Sequence, residues 1–135
     1  MVKEELPIYS KELFVTDEHI DQNGHVNNVI YVQWVNDIAL EHWFSKSNQK
    51  QQKEVLWFLV KHTINYKSQA VIGDRIIIKT QVGRATNVRY ERLVNIYNAD
   101  SNQLLASSKT DWCAVNPDGK IIKISQEIRD LFEVK

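Results

Sequence analysis

The residues best suited to chemistry stand together in DQNGHVNN, Asp21 to Asn28. A carboxylate (Asp21), a carboxamide (Asn23) and an imidazole (His25) fall within five residues of one another. An ionised Asp21 can attack a carbonyl carbon or draw a proton from water. His25, with an ordinary pKa of about 6.5, exchanges protons near neutrality. Asn23 suits an orienting hydrogen bond. Asn23-Gly24 is a strong turn dipeptide, so the three side chains share a tight turn. That turn runs straight into the apolar stretch VIYVQWVNDIALEHWF. The first amides of a helix are unpaired and carry partial positive charge. They would keep Asp21 ionised and could stabilise a developing oxyanion. The chemistry implied is hydrolysis of a carbonyl compound.

The elements that must position this turn follow from periodicity. Polar residues Gln33, Asp37 and Glu41 recur every four positions between Val29 and Phe44, the rest being mostly apolar. This predicts a helix over Val29 to Phe44, apolar around most of its circumference and therefore buried. Asn27 or Asn28 can cap it. Leu13 to Thr16 reads as a short strand before the turn. Ser45 to Glu54, SKSNQKQQKE, reads as a polar, mobile linker. Four long strands follow, at Val55 to Lys67, Arg75 to Gly83, Asn87 to Tyr97 and Leu104 to Val115, by their alternation. Short turns at Ile72-Gly73-Asp74, Asn98 to Asn102 and Asn116 to Gly119 join or end them. Ser125 caps a short helix through Phe132 with Glu127 in its first turn. Sequential strands joined by hairpins, with one long helix on the sheet face, give an α+β architecture.

Composition narrows the function classes. The 135 residues form a single domain, 1–135, by the usual size prior. Lys plus Arg and Asp plus Glu both number 17, so the basic footprint of a nucleic-acid binder is missing and self-association meets little repulsion. The longest apolar run, VLWFLV, is far too short to span a membrane. Cys113 is the only cysteine and fits a reducing compartment. MVKEELPIYSKEL has no signal-peptide core, so the expected location is cytoplasmic. His19, His42 and His62 lack ligand spacing, so neither a metal nor another cofactor is expected. Cys113 reads as a sheet residue; Arg84, Arg89 and Arg92 suit a phosphorylated carrier but read first as solvated strand charges.

The stretch D-x-N-G-H-V-N-N-x-x-Y-x-x-W, ending in Tyr31 and Trp34, closely resembles the active-site segment of hotdog-fold acyl-thioester hydrolases. It is most similar to the acyl-ACP thioesterases and to the 4-hydroxybenzoyl-CoA thioesterase group. Gly73-Asp74, Trp112 and the tail DGKIIKISQEIRDLF fit that group too. The resemblance implies a long central helix wrapped by a curved antiparallel sheet. It implies Asp21 as nucleophile or general base, with Asn23 and His25 completing the catalytic set. It further implies amides near Asn28 polarising the thioester, with Tyr31 and Gln69 among the substrate-binding residues. Acyl-ACP thioesterases carry a Glu on the strand after the helix where this chain has Gln69. Gln69 can orient water or substrate but cannot take a proton. The plant enzymes hold two hotdog repeats in one chain, so this single repeat implies a homodimer or homotetramer with its site at a subunit interface. The substrate implied is an acyl-CoA or an acyl carrier protein thioester, its acyl chain lying along the central helix.

Two other functions fit the same fold. Hotdog enoyl-thioester hydratases use D-x-N-P-x-H, whereas here Gly24 replaces Pro and His25 comes one residue early. A non-catalytic acyl-binding module is left open by Gln69.

Overall fold

The computed structural model describes residues 6–134. Strand β1 spans Tyr9–Phe14, α1 Asn28–Lys46, α2 Gln49–Glu54, β2 Leu56–Tyr66, β3 Arg75–Ala85, β4 Arg89–Asn98, β5 Leu104–Val115 and α3 Gln126–Glu133. The strands form one antiparallel sheet in the order β1-β3-β4-β5-β2. This is the hotdog architecture, a long helix held against an antiparallel sheet.

Alternation selects the inner face. On β3, Ile76, Ile78 and Val82 are buried; on β4, Tyr90, Val94 and Ile96 are buried. Ile77 and Lys79 on β3 and Glu91, Leu93 and Asn95 on β4 alternate with them and are more exposed, as the two-residue period requires. Against this face α1 buries Tyr31, Trp34, Val35, Ile38, Ala39, His42 and Trp43. The core falls into two apolar clusters, one around Trp34, Val35 and Ile38, the other around Trp43, Tyr90 and Phe132.

A polar belt separates the two clusters at matching depth. His42 lies between Ile38 and Trp43 on α1, Thr80 between Ile78 and Val82 on β3, and Arg92 between Tyr90 and Val94 on β4. Arg92 Nη1 donates to His42 Nδ1 at 2.8 Å and to Thr80 Oγ1 at 3.1 Å. Its guanidinium also stands 5.4 Å from the Phe132 ring centre. Arg92 is 7% exposed and has no acidic partner among the described residues. Burial lowers its pKa to about 10, which leaves it charged at neutral pH. Burial, then the Arg92 charge, pushes His42 down to about 3, so it accepts as a neutral ring.

Four expectations change. The first strand lies earlier, at Tyr9–Phe14, because Thr16 instead caps a short helical turn through His19, whose Nδ1 accepts the Thr16 N–H at 2.9 Å. The expected linker contains α2, held by reciprocal bonds between Asn48 and Gln51 and by Gln51 Nε2 donating to Glu127 at 2.9 Å. Arg92 is buried rather than solvated, since β4's register turns it inward with Tyr90 and Val94. Within one chain α1 is not enclosed. Val29 is 69% and Phe44 55% exposed, because one sheet covers only one side of a helix.

Candidate active site

The turn expected from Asn23-Gly24 forms and carries the three candidate side chains. Asp21 Oδ1 accepts the Asn23 N–H at 2.9 Å. Asp21 O accepts the Gly24 N–H at 3.0 Å, and His25 O accepts the Asp21 N–H at 3.2 Å. Gly24 sits at φ +79°, in the left-handed region that glycine adopts without strain. A bridge between Ile20 and Val26 closes the base of the turn. Asp21 and His25 are half-buried and Asn23 is exposed. Neither the Asn23 carboxamide nor the His25 ring hydrogen-bonds another described residue, so both are free to meet a ligand.

Two residues later α1 begins. Asn27 caps it: Asn27 Oδ1 accepts the Val29 N–H and Asn27 O the Ile30 N–H, each at 2.9 Å. The Asn28 N–H, ahead of both, has no acceptor among the described residues. It is a spare donor at the positive end of a 19-residue helix. Tyr66 at the end of β2 donates from its hydroxyl to Asn28 O at 3.0 Å, tying this strand to the helix start.

The loop between β2 and β3 lies against the same turn, with Ala70 O accepting the Val26 N–H at 3.0 Å. That contact brings the exposed Gln69 to the neighbourhood of the turn. Tyr31, one turn into α1, is packed in the core and is 2% exposed. Burial raises its pKa. Its hydroxyl lies near the Ala70 backbone without a well-formed hydrogen bond. Among the described residues no group of three or more His, Cys, Asp or Glu could hold a metal.

Sequence reasoning did not single out a cavity at the far end of α1. It measures about 30 Å³ and is walled by Trp43, Trp57, Tyr90, Trp112 and Phe132. All five are aromatics spread through the sequence, and only the fold brings them together. A broader polar hollow of about 450 Å³ lies on the outer sheet face, over Lys61, Glu91, Lys109 and Asp111. Asp21, Asn23 and His25 line neither.

Residues 15–132 match the thioesterase-like superfamily. The chain belongs to that family. Membership supports thioester hydrolysis as the chemistry of this fold. Solved structures agree on the architecture. A 1,4-dihydroxy-2-naphthoyl-CoA thioesterase from Synechocystis is 24% identical, with a TM-score of 0.79, over 93% of this chain and 95% of that one. A probable thioesterase from Escherichia coli is 20% identical, with a TM-score of 0.79, over 90% and 94%. A Staphylococcus aureus protein solved in complex with CoA is 13% identical, with a TM-score of 0.85, over 97% and 85%. No curated protein sequence is significantly similar to this one. No helix among the described residues is long and apolar enough to cross a membrane.

Proposed function

We propose that this protein hydrolyses acyl thioesters of CoA or of an acyl carrier protein, and that two copies build each site. The reading rests on Asp21, fixed in its turn by the Asn23 amide, and on the spare Asn28 amide that starts α1 seven residues later. The thioester carbonyl oxygen accepts from the Asn28 N–H. Asp21 removes a proton from water as the water oxygen bonds to the carbonyl carbon. The carbon–sulfur bond then breaks, the thiolate leaves with the electron pair, and the proton that Asp21 took from water passes to it, which completes the thiol and restores the carboxylate. His25 and Asn23 orient water and substrate, and Gln69 and Tyr31 contribute from the flanking loop and helix. Losing an oxyanion donor of this kind costs about 3–4 kcal/mol in other hydrolases. CoA as carrier is supported by the fold relative solved with CoA.

A second copy is needed because the turn lies open at the surface of a single chain, outside both cavities. The acyl chain lies along α1, whose Val29, Leu40 and Phe44 are exposed on one stripe. The test is thiol release from a panel of acyl-CoAs with wild type and Asp21→Asn. Loss of acid–base help predicts a fall in turnover of about 10²–10⁴-fold at unchanged melting temperature. Equal turnover by the variant would remove Asp21 from the mechanism. Retained acyl-CoA binding with no turnover by either protein would favour the non-catalytic acyl-binding module.

A further inference from the structure

We infer that His19 is a positioning residue for hydrolysis: it holds the Asp21 turn in line with the first amide of α1, and it does so only as a neutral ring. This rests on the hydrolase reading above and adds the residue that sets its geometry.

The turn and the helix start are two arms of one small hairpin. His25 O accepts the Asp21 N–H at 3.2 Å, Ile20 bridges Val26, and His19 O accepts the Asn27 N–H at 2.9 Å. Residues 19–21 are the arm that leads to the carboxylate. Residues 25–27 are the arm that leads to the helix cap, beyond which the Asn28 N–H is the spare donor. Among the described residues, Asp21 hydrogen-bonds only within residues 21–25. Its bearing toward Asn28 is therefore set where the two arms meet, at His19 and Asn27.

His19 is fixed in turn from both sides. Upstream, the buried Val15 pairs with Gly73 and Asp74, which makes the chain entering Thr16 a fixed point. His19 Nδ1 accepts the Thr16 N–H at 2.9 Å, and the His19 N–H donates to Thr16 O at 3.0 Å. The two bonds close the short helical turn Asp17–His19. Downstream, the His19 ring meets the Trp34 ring edge to face, with centres 5.3 Å apart. Trp34 lies on α1 and is 4% exposed. One imidazole thus ties the chain before the hairpin to the helix after it. The third residue of such a capping box is ordinarily Glu or Gln. An imidazole there adds a ring face for Trp34 and a lone pair that can be lost.

To accept at Nδ1, the ring must carry its proton on Nε2. The imidazolium has a donor at both nitrogens, so protonation sets one N–H against another. The nearest acceptor is then Thr16 Oγ1, 3.5 Å away, which draws the ring off the backbone amide. Imidazoles make this change between about pH 5 and 8. The titratable groups on the elements around His19 are Asp17 and Glu18 of its own turn, Asp21 and His25 of the hairpin, Tyr31 and Asp37 of α1, and Asp74 of the loop between β2 and β3. None of them hydrogen-bonds His19. At acid pH the hairpin is released by a group outside the reacting set.

Two variants separate these roles. His19→Gln keeps an acceptor for Thr16 and does not titrate. His19→Leu keeps an apolar contact for Trp34 and has no acceptor. Near neutral pH, His19→Leu is expected to exchange its Asn27 amide about tenfold faster than wild type, the effect of a lost cap. Its kcat for acyl-CoA hydrolysis falls about tenfold with KM unchanged, because alignment counts when charge develops. His19→Gln restores both, a rescue that a merely packed ring would not give. As the pH falls to about 5.5, the ratio of wild-type to His19→Gln kcat drops several-fold, since Asp21 and His25 titrate in both proteins. A wild-type kcat in His19→Leu, a His19→Gln variant no better than His19→Leu, or a flat ratio overturns the proposal and leaves hydrolysis standing. A wild type that hydrolyses no thioester overturns both.

Discussion

Tyr31 is where packing and function give opposite expectations. Its hydroxyl is buried without a well-formed partner. A buried unsatisfied hydroxyl costs about 1–3 kcal/mol, so Tyr31→Phe is expected to raise the urea midpoint. If the tyrosine only fills the core, KM for the acyl-CoA stays the same. A rise in KM alongside the gain in stability marks a hydroxyl kept for the substrate. His42 carries a second prediction through linkage. Unfolded, it takes up a proton near pH 6.5. Folded, it does so only at about 3. Across that window the unfolded state holds the extra proton, so this contribution is whole above about pH 6.5 and is lost as the pH falls toward 3. Each pH unit inside the window is worth about 1.4 kcal/mol. His42→Gln keeps an acceptor for Arg92 but does not titrate. The wild type should therefore lose more stability than the variant between neutrality and about pH 5, as read from urea curves. Parallel losses would mean that His42 is not held neutral.

At the scale of elements, what was legible was what repeats locally. The two-residue alternation of β3 to β5 and the Asn-Pro-Asp-Gly and Gly-Asp turns place those strands within two residues of where they lie. The Asn23-Gly24 turn was legible for the same reason, as was a cap at Asn27 or Asn28, of which Asn27 is the one used. Features decided by distant partners were not. Helix α2 has no apolar period, and it is fixed by its capping pair and by Gln51 reaching Glu127. Arg92 looks like any surface arginine until β4's register carries it to His42 and Thr80. The nearness of Gln69 to the turn depends on the Ala70–Val26 bond, across a whole helix and strand. A prediction about α2 follows. Asn48→Ala removes the side chain that accepts the Gln51 N–H at 2.8 Å. It should lower stability by about 0.5–2 kcal/mol. It should leave thiol release unchanged, because α2 carries none of the proposed site residues. A melting temperature equal to wild type would show that the Gln51–Glu127 contact alone holds α2.

For the molecule as a whole, the unfinished surface is one-sided. The exposed stripe of α1 and the exposed apolar residues of β2 belong to the same margin, since Tyr66 and Trp57 bind that strand along the helix. Phe58 is 64% exposed and Phe44 55%. An 11-residue edge strand with this composition would invite open-ended aggregation unless a two-fold partner caps it. Antiparallel self-pairing is closed: each copy's edge is consumed by the other. The net charge of zero sets no long-range barrier to it. The wild type should therefore sediment at a mass no smaller than twice 15.8 kDa. The double substitution Phe58→Lys and Val60→Lys places four like charges across the paired strands, where like-charge neighbours destabilise. It should give a folded monomer with an unchanged far-ultraviolet circular dichroism spectrum and no thiol release, because the turn of each copy has lost its other half. A monomeric variant that still hydrolyses acyl-CoA at the wild-type rate would place the whole site within one chain.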